Sequence, residues 1–273
     1  MSDAVRRRPR LAGIALLLFA GRSGAGAGAP AGDPQEMLRR ADASRQALTQ
    51  SIARVRATVV RRGKPDATQD FDLYVGEDGK ALCVFRGGKQ DGRRVLTVGD
   101  RVWLIVPGAS KPVPLSANQR LLGGASLGDI LRLPLAEVFS ASARPGVEDA
   151  GGTPCRVLDL TAKSSKSPYS AGVLWIGARD GLPRRLRLLL PGGKLVKEVK
   201  YLAYERQAGR DVLKKMELQD LLTRGREIGT TLEFLKVERA RLNPSLFEPR
   251  PPAPPKLLPM DITGAHQPCF PRR

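Results

Sequence analysis

Between residues 71 and 237 the chain is written in short stretches of alternating apolar and polar residues, each closed by a turn. Nothing else in it restricts the fold as strongly. Phe71, Leu73 and Val75 alternate with Asp70, Asp72 and Tyr74, and the turn residues Gly76–Gly79 follow. The same reading predicts strands over 81–86, 94–98, 101–107, 156–161, 172–177, 184–190, 195–205, 211–220 and 229–237, separated by Gly-Asp, Gly-Gly and Asp-Gly turns. Short turns join antiparallel strands, whereas parallel ones need long crossovers, so the order is that of hairpins rather than alternating strands and helices. Two stretches interrupt it. Residues 121–141 are apolar without alternation and are expected to form one or two short helices. Residues 146–154 are polar and turn-rich and read as a linker between two halves of the sheet. There is no internal repeat of fixed period.

Ahead of the strands lies a helix signal. Asp33 stands at an N-cap, Pro34 at the first helical position and Glu36 two residues later, the arrangement of a capping box. Met37, Leu38, Ala41, Leu48, Ile52 and Val55 then recur at helical spacing, with Arg39, Arg40, Arg45 and Arg54 between them. One helix and a few short inserts cannot cover both faces of a sheet of about ten strands, so the sheet must curl and the helices must sit in its hollow. The expected fold class is therefore mainly β with a helical lid (α+β), a curved antiparallel half-barrel enclosing an apolar cavity.

The N-terminus carries Arg6, Arg7, Arg8 and Arg10, then the apolar run 11–20 and a small-residue stretch, the layout of a secretory signal peptide. Ala25-Gly26-Ala27 is a better cleavage pattern than Ala27-Gly28-Ala29, after which Pro30 follows. The apolar run is too short to span ~30 Å of hydrocarbon. We therefore read 1–29 as a signal peptide, 30–248 as one domain and 249–273, which contains PRPPAPPKLLP, as a Pro-rich disordered tail. The destination is the periplasm, as a soluble exported protein. There the formal charge of +19, spread along the whole chain, would draw it to anionic lipid phosphates as readily as to nucleic acid. Arg184, Arg185 and Arg187 alternate with Leu186 and Leu188, giving one wet cationic face. In an exported protein that face suits solvent, anionic lipid or a partner, and not nucleic acid.

The chemistry-bearing residues are few. Cys83, Cys155 and Cys269 make an odd number with three pairings open. Cys83 lies inside an apolar strand pattern, where a free thiol acts as a small hydrophobe. Neither a C-x-x-C nor a Cys/His zinc spacing is present, and no cofactor or metal is expected. Gly124-Ala125-Ser126-Leu127-Gly128 matches the nucleophile-elbow pattern. The single histidine is His266 in the tail, and the parallel strand–helix repeat that an elbow needs is missing. The expectation is a protein that is not an enzyme.

Leu96-Thr-Val-Gly-Asp100, Val102-Trp-Leu-Ile-Val-Pro107, Pro114-Leu-Ser116 and the segment 124–129, in that order, resemble the middle of the outer-membrane lipoprotein-sorting family. Val173-Leu-Trp-Ile176 with Gly181-Leu-Pro183 is similar to that family's second-half Trp strand. Gly193–Lys197, Tyr204 and Asn243–Phe247 fit its final hairpins. The resemblance spans roughly residues 36–247. It implies a monomeric periplasmic carrier, chaperone-like, that holds lipid or the acyl chains of a lipoprotein cargo and moves them toward the outer membrane. It also implies an inner-membrane transporter as donor and an outer-membrane acceptor. The alternative is an envelope binding or scaffold module working with such a transporter. Cavity-lining positions are then expected at Phe71, Leu73, Leu82, Val84, Trp103, Ile105, Trp175, Leu232 and Phe234, and lid positions at Leu122, Leu127, Ile130 and Leu131. A one-residue slip of register would exchange the inward set for the outward one.

Overall fold

The computed structural model describes residues 32–45, 50–99, 101–115, 120–122, 125–126, 134–165, 167–207, 209–222 and 228–249, with backbone alone at 120–122 and 125–126. Asp33 caps helix α1 (Pro34–Arg45): its carboxylate accepts from the backbone N–H of Gln35 at 3.1 Å and of Glu36 at 3.3 Å. The helix stops there. Ile52 and Val55, whose spacing imitates one more helical turn, belong instead to strand β1 (Ser51–Arg61). In β1, Ala53, Val55, Ala57 and Val59 are buried and alternate with Arg54, Arg56 and Thr58, a period of two that small alanines make faint. Its hairpin to β2 (Lys64–Val75) turns on Arg62-Gly63, both at positive φ, a pair lacking the usual Asn or Asp signal.

The remaining strands are β3 (Ala81–Arg86), β4 (Arg94–Val98), β5 (Arg101–Ile105), β6 (Val113–Leu115), β7 (Arg120–Leu122), β8 (Ala125–Ser126), β9 (Phe139–Ala143) and β10 (Glu148–Asp149). They continue with β11 (Pro154–Ala162), β12 (Ala171–Gly177), β13 (Pro183–Leu189), β14 (Leu195–Gln207), β15 (Arg210–Asp220) and β16 (Ile228–Arg239). The short helix α2 (Leu135–Val138) precedes β9. Of the one or two short helices expected within 121–141, the described residues hold one, α2, and they also hold the paired strands β7 and β8 and the start of β9. Residues 148–154 build the end of the sheet through β10 and β11.

All strands but β7 and β8 join one antiparallel sheet in the order β10-β11-β12-β13-β14-β15-β16-β1-β2-β3-β4-β5-β6, with β9 also beside β11. Two meanders meet where β1 pairs with β16 along its whole length. The sheet is open and curved and does not close into a barrel. Its inner face holds the main core, to which nearly every strand contributes alternate residues. Leu38 and Ala41 of α1 and Leu135 of α2 press into the same core.

The opposite face is smaller in apolar content and is covered at one side by the chain after β16. There a 3₁₀ turn (Pro244–Phe247) seats Phe247 against Gly76, where a Cβ would come within 2.7 Å of the ring. Asn243–Phe247, which the resemblance assigns to a hairpin, is this turn. No helix among the described residues is long and apolar enough to cross a membrane.

Candidate functional site

Which residues face the hollow follows from pairing. Phe71 lies opposite Phe85 and Leu73 opposite Cys83, with Val55 and Ala53 on their other side. Phe234 faces Val55 and Leu232 faces Ala57. Phe71, Leu73, Leu232 and Phe234 therefore share the inner core, each no more than 1% exposed. The other five expected positions are elsewhere. Leu82, Val84, Ile105 and the half-buried Trp103 belong to a cluster on the outer face with Tyr74, Leu96 and Phe247. Trp175 lies in a third cluster, also facing outward, with Cys155 and Val157.

The nine positions are thus not brought together, and the slip is one residue in each case. Cys83 and Phe85, Val102 and Leu104, and Leu174 and Ile176 take the inward places beside those five. The physical reason is visible in β3, whose burial is continuous from Ala81 to Phe85. A strand buried on both faces carries no alternation to read. Of the expected lid residues, Leu127, Ile130 and Leu131 lie outside the described residues. Leu122 belongs to strand β7 and not to a helix.

Helix α1 is held across the hollow by polar bonds that the sequence did not single out. The Gln35 side chain donates to the carbonyls of Ala136 at 3.2 Å and Phe139 at 3.1 Å and accepts from the N–H of Ala141 at 3.0 Å. Asp42 accepts from the N–H of Ala136 at 3.2 Å and pairs with Arg45 one turn on. Arg45 donates to the Tyr201 hydroxyl on β14 at 2.8 Å and lies over that ring. Asp42 and Arg45 are buried, so each depends on the other for compensation of its charge. Burial opposes ionisation of Arg45, while Tyr201 and Asp42 favour it, and the balance holds the guanidinium above its ordinary pKa. The only sequence signal was a charged pair three residues apart inside an amphipathic helix, which ordinarily marks a solvated face.

The outer face, by contrast, is a ladder of cross-strand ion pairs. Asp72 receives Arg54 at 2.8 Å and Arg86 at 2.7 Å, Asp70 receives Arg56 at 2.8 Å, and Glu198 receives Arg187 at 2.6 Å. Arg185 and Arg187 lie over the indole of Trp175, 5.6 and 5.5 Å from its centroid. Two clefts open at the surface, the first among polar residues on this side and the second at the sheet's end beside the inner-core residues Tyr201 and Tyr204. One, of about 410 Å³, includes Arg56, Asp70 and Gly87, and the other, of about 450 Å³, includes Asp180, Arg184 and Tyr204. No group of three or more metal-ligating side chains exists among the described residues.

A family described as "Uncharacterized protein" matches residues 77–251. The chain belongs to this family. No curated protein matches it. Among solved structures it is similar to a LolA superfamily protein of Nitrosomonas europaea at 20% identity and a TM-score of 0.69, covering 80% of this chain and 98% of that one. It is similar also to a domain of Vibrio parahaemolyticus described as an outer membrane lipoprotein-sorting protein, at 17% identity and a TM-score of 0.66, over 79% of this chain and 96% of the other. A DUF1329 family protein of Desulfovibrio piger matches at 22% identity and 0.66, over 79% and 98%. At these identities the comparison speaks for the fold, and the fold is LolA-like.

Proposed function

We propose that this protein is an exported, non-enzymatic carrier that holds acyl chains against the inner face of its sheet, beneath α1 and α2. One observation supports this most. A continuous apolar face is backed not by a second sheet but by a short helix fastened through Gln35, Asp42 and Arg45. A cover tied by a few polar groups can be lifted without dismantling the sheet, and lifting it uncovers a surface that favours hydrocarbon by ~0.8 kcal/mol per CH₂. In this reading residues 1–29 direct export to the periplasm, and the cargo is lipid or an acylated lipoprotein. A membrane transporter and an outer-membrane acceptor stand at the two ends of the route. The LolA-like fold of the neighbours agrees with it.

Native mass spectrometry of protein taken from a periplasmic extract without detergent, followed by lipid extraction and by reloading with phospholipid, tests the proposal. Near-stoichiometric bound lipid or acylated peptide is the expected result. The near-zero exposure of the inner side chains favours a second reading, an envelope scaffold with a filled interior. A clean apo mass and no uptake of offered lipid would select it.

A further inference from the structure

The two ends of the sheet differ in charge. Arg61 pairs with Lys64 on one side and Ile228 on the other, Asp70 with Arg86, Arg94 with Ile105, Leu104 with Val113, and Lys197 with Asp220. The connections 62–63, 87–93, 106–112 and 190–194 and residues 221–222, which follow β15, therefore all lie at the same end. The four connections, with the strand residue Lys64, present the exposed cations Arg62, Lys64, Lys89, Lys111 and Lys194. None of these five has a carboxylate partner among the described residues. After β15 stand Leu221 and Leu222, 39% and 45% exposed. The carboxylates at this end are mostly engaged. Asp66 pairs with Arg61, Asp91 accepts from the N–H of Gly87, and the buried Asp220 accepts from the N–H of Leu222. Asp33 and Glu36 at the start of α1 pair with Arg39 and Arg40, while Glu137 stands exposed on α2. At the opposite end the signs alternate: Glu77 and Asp78 accompany Lys80, and Asp180 pairs with Arg184.

We propose that this cationic end docks on an anionic lipid surface. The five cations come from separate turns strung along a curved edge and do not converge on a pocket. Such a spread suits a two-dimensional field of phosphate head groups better than a single acidic segment. Leu221 and Leu222 supply what electrostatics alone cannot, apolar side chains that the headgroup–acyl boundary buries. Each Lys or Arg near such a surface contributes about a fivefold factor in affinity, and salt screens it. The proposal goes beyond the carrier reading, since a rim can dock whether or not the hollow holds lipid.

Co-sedimentation of the full chain with phosphatidylcholine vesicles, with and without phosphatidylglycerol, tests it. Binding is expected only when phosphatidylglycerol is present. Arg62→Gln, Lys64→Gln, Lys89→Gln, Lys111→Gln and Lys194→Gln together should weaken it more than tenfold. The control Lys80→Gln, Arg179→Gln, Arg210→Gln, Arg239→Gln and Arg241→Gln removes equal charge from the other end and should bind like the unaltered protein. All ten side chains lie on the surface, and circular dichroism verifies that both variants fold. The Leu221→Ser, Leu222→Ser variant should lose the binding that persists at high salt. Equal losses in rim and control variants, or no binding of the unaltered protein to phosphatidylglycerol, overturn the proposal. So does rim-dependent binding to polyglutamate without binding to vesicles, which would make the partner an acidic protein. Sedimentation reports docking alone, whereas bound lipid in the mass spectrum reports carriage, so the two proposals fail separately.

Discussion

Arg45 on α1 reaches Tyr201 on β14, 156 residues later in the chain, through a 2.8 Å hydrogen bond between two buried side chains. That contact ties the far end of the helix to the sheet. Tyr201→Phe removes the acceptor and leaves a buried guanidinium one partner short. It should cost about 1–3 kcal/mol in denaturant unfolding, while a Phe at a surface tyrosine costs little. An unchanged midpoint would mean that water already serves Arg45.

The other end of α1 depends on Gln35. Gln35→Ala deletes three hydrogen bonds to 136–141, each worth about 1 kcal/mol, without touching the apolar core. Hydrogen exchange should speed up over 34–45 and 135–141 while the strands β1, β15 and β16 stay protected, the signature of a cover that opens before the sheet does. Exchange rising uniformly across the sheet would show that cover and sheet open as one unit.

Both described tryptophans lie away from the hollow, Trp103 in the outer cluster with Leu96 and Trp175 under Arg185 and Arg187. Phospholipid with brominated acyl chains, offered below its vesicle-forming concentration, should therefore leave their fluorescence unquenched. A tryptophan placed by Phe85→Trp, in the inner core, should be quenched by the same lipid. Strong quenching of the unaltered protein would place the acyl chains on the outer face.

Cys83 faces the inner core and Cys155 the outer cluster, so the two cannot bridge each other across the sheet, and both are free. Burial raises the thiol pKa of each, most strongly at Cys83. In a Cys269→Ser variant Ellman's reagent should therefore titrate no thiol in native buffer and two in denaturant. Rapid labelling of Cys155 alone would show that its cluster breathes.

Acid should weaken the fold through the outer ladder. Hydrogen bonds from Arg56 and Arg144 hold Asp70 and Asp159 below the ordinary value of 3.8. The stability they contribute is complete above the unfolded pKa, so it is present at neutral pH. It is lost as pH falls below about 4 through the lower folded values. The double variant Asp70→Asn, Asp159→Asn should have a lower Tm at pH 7 and a shallower fall of Tm below pH 4. Curves that run parallel would assign the acid sensitivity to other carboxylates.

Strands β3 and β4 fall where short apolar runs bounded by turn residues place them, at 81–86 and 94–98, and Asp33 caps the helix its spacing announces. These features are legible because they are local: a cap, a turn and a period are set by residues a few positions apart. The curved antiparallel architecture followed from counting strands against helices.

Local signals failed at β1, where Ile52 and Val55 mimic a helical turn and Arg62-Gly63 hides the hairpin. They failed again in choosing the inward face of β3, β5 and β12. There both parities are apolar, and large aromatics such as Trp103 and Trp175 were drawn to the outer clusters. Pattern by itself therefore determined the strands from β2 to β5 and from β11 to β16, their order as hairpins, and that a helix must lie in the hollow. Only the tertiary structure decided which residues of each strand meet inside, because that depends on pairing across β16 and β1, residues about 180 positions apart. It alone brought Arg45 to Tyr201 and gathered the cationic turns at one end, since a charge's neighbours in space are fixed by strand register and not by its neighbours in sequence.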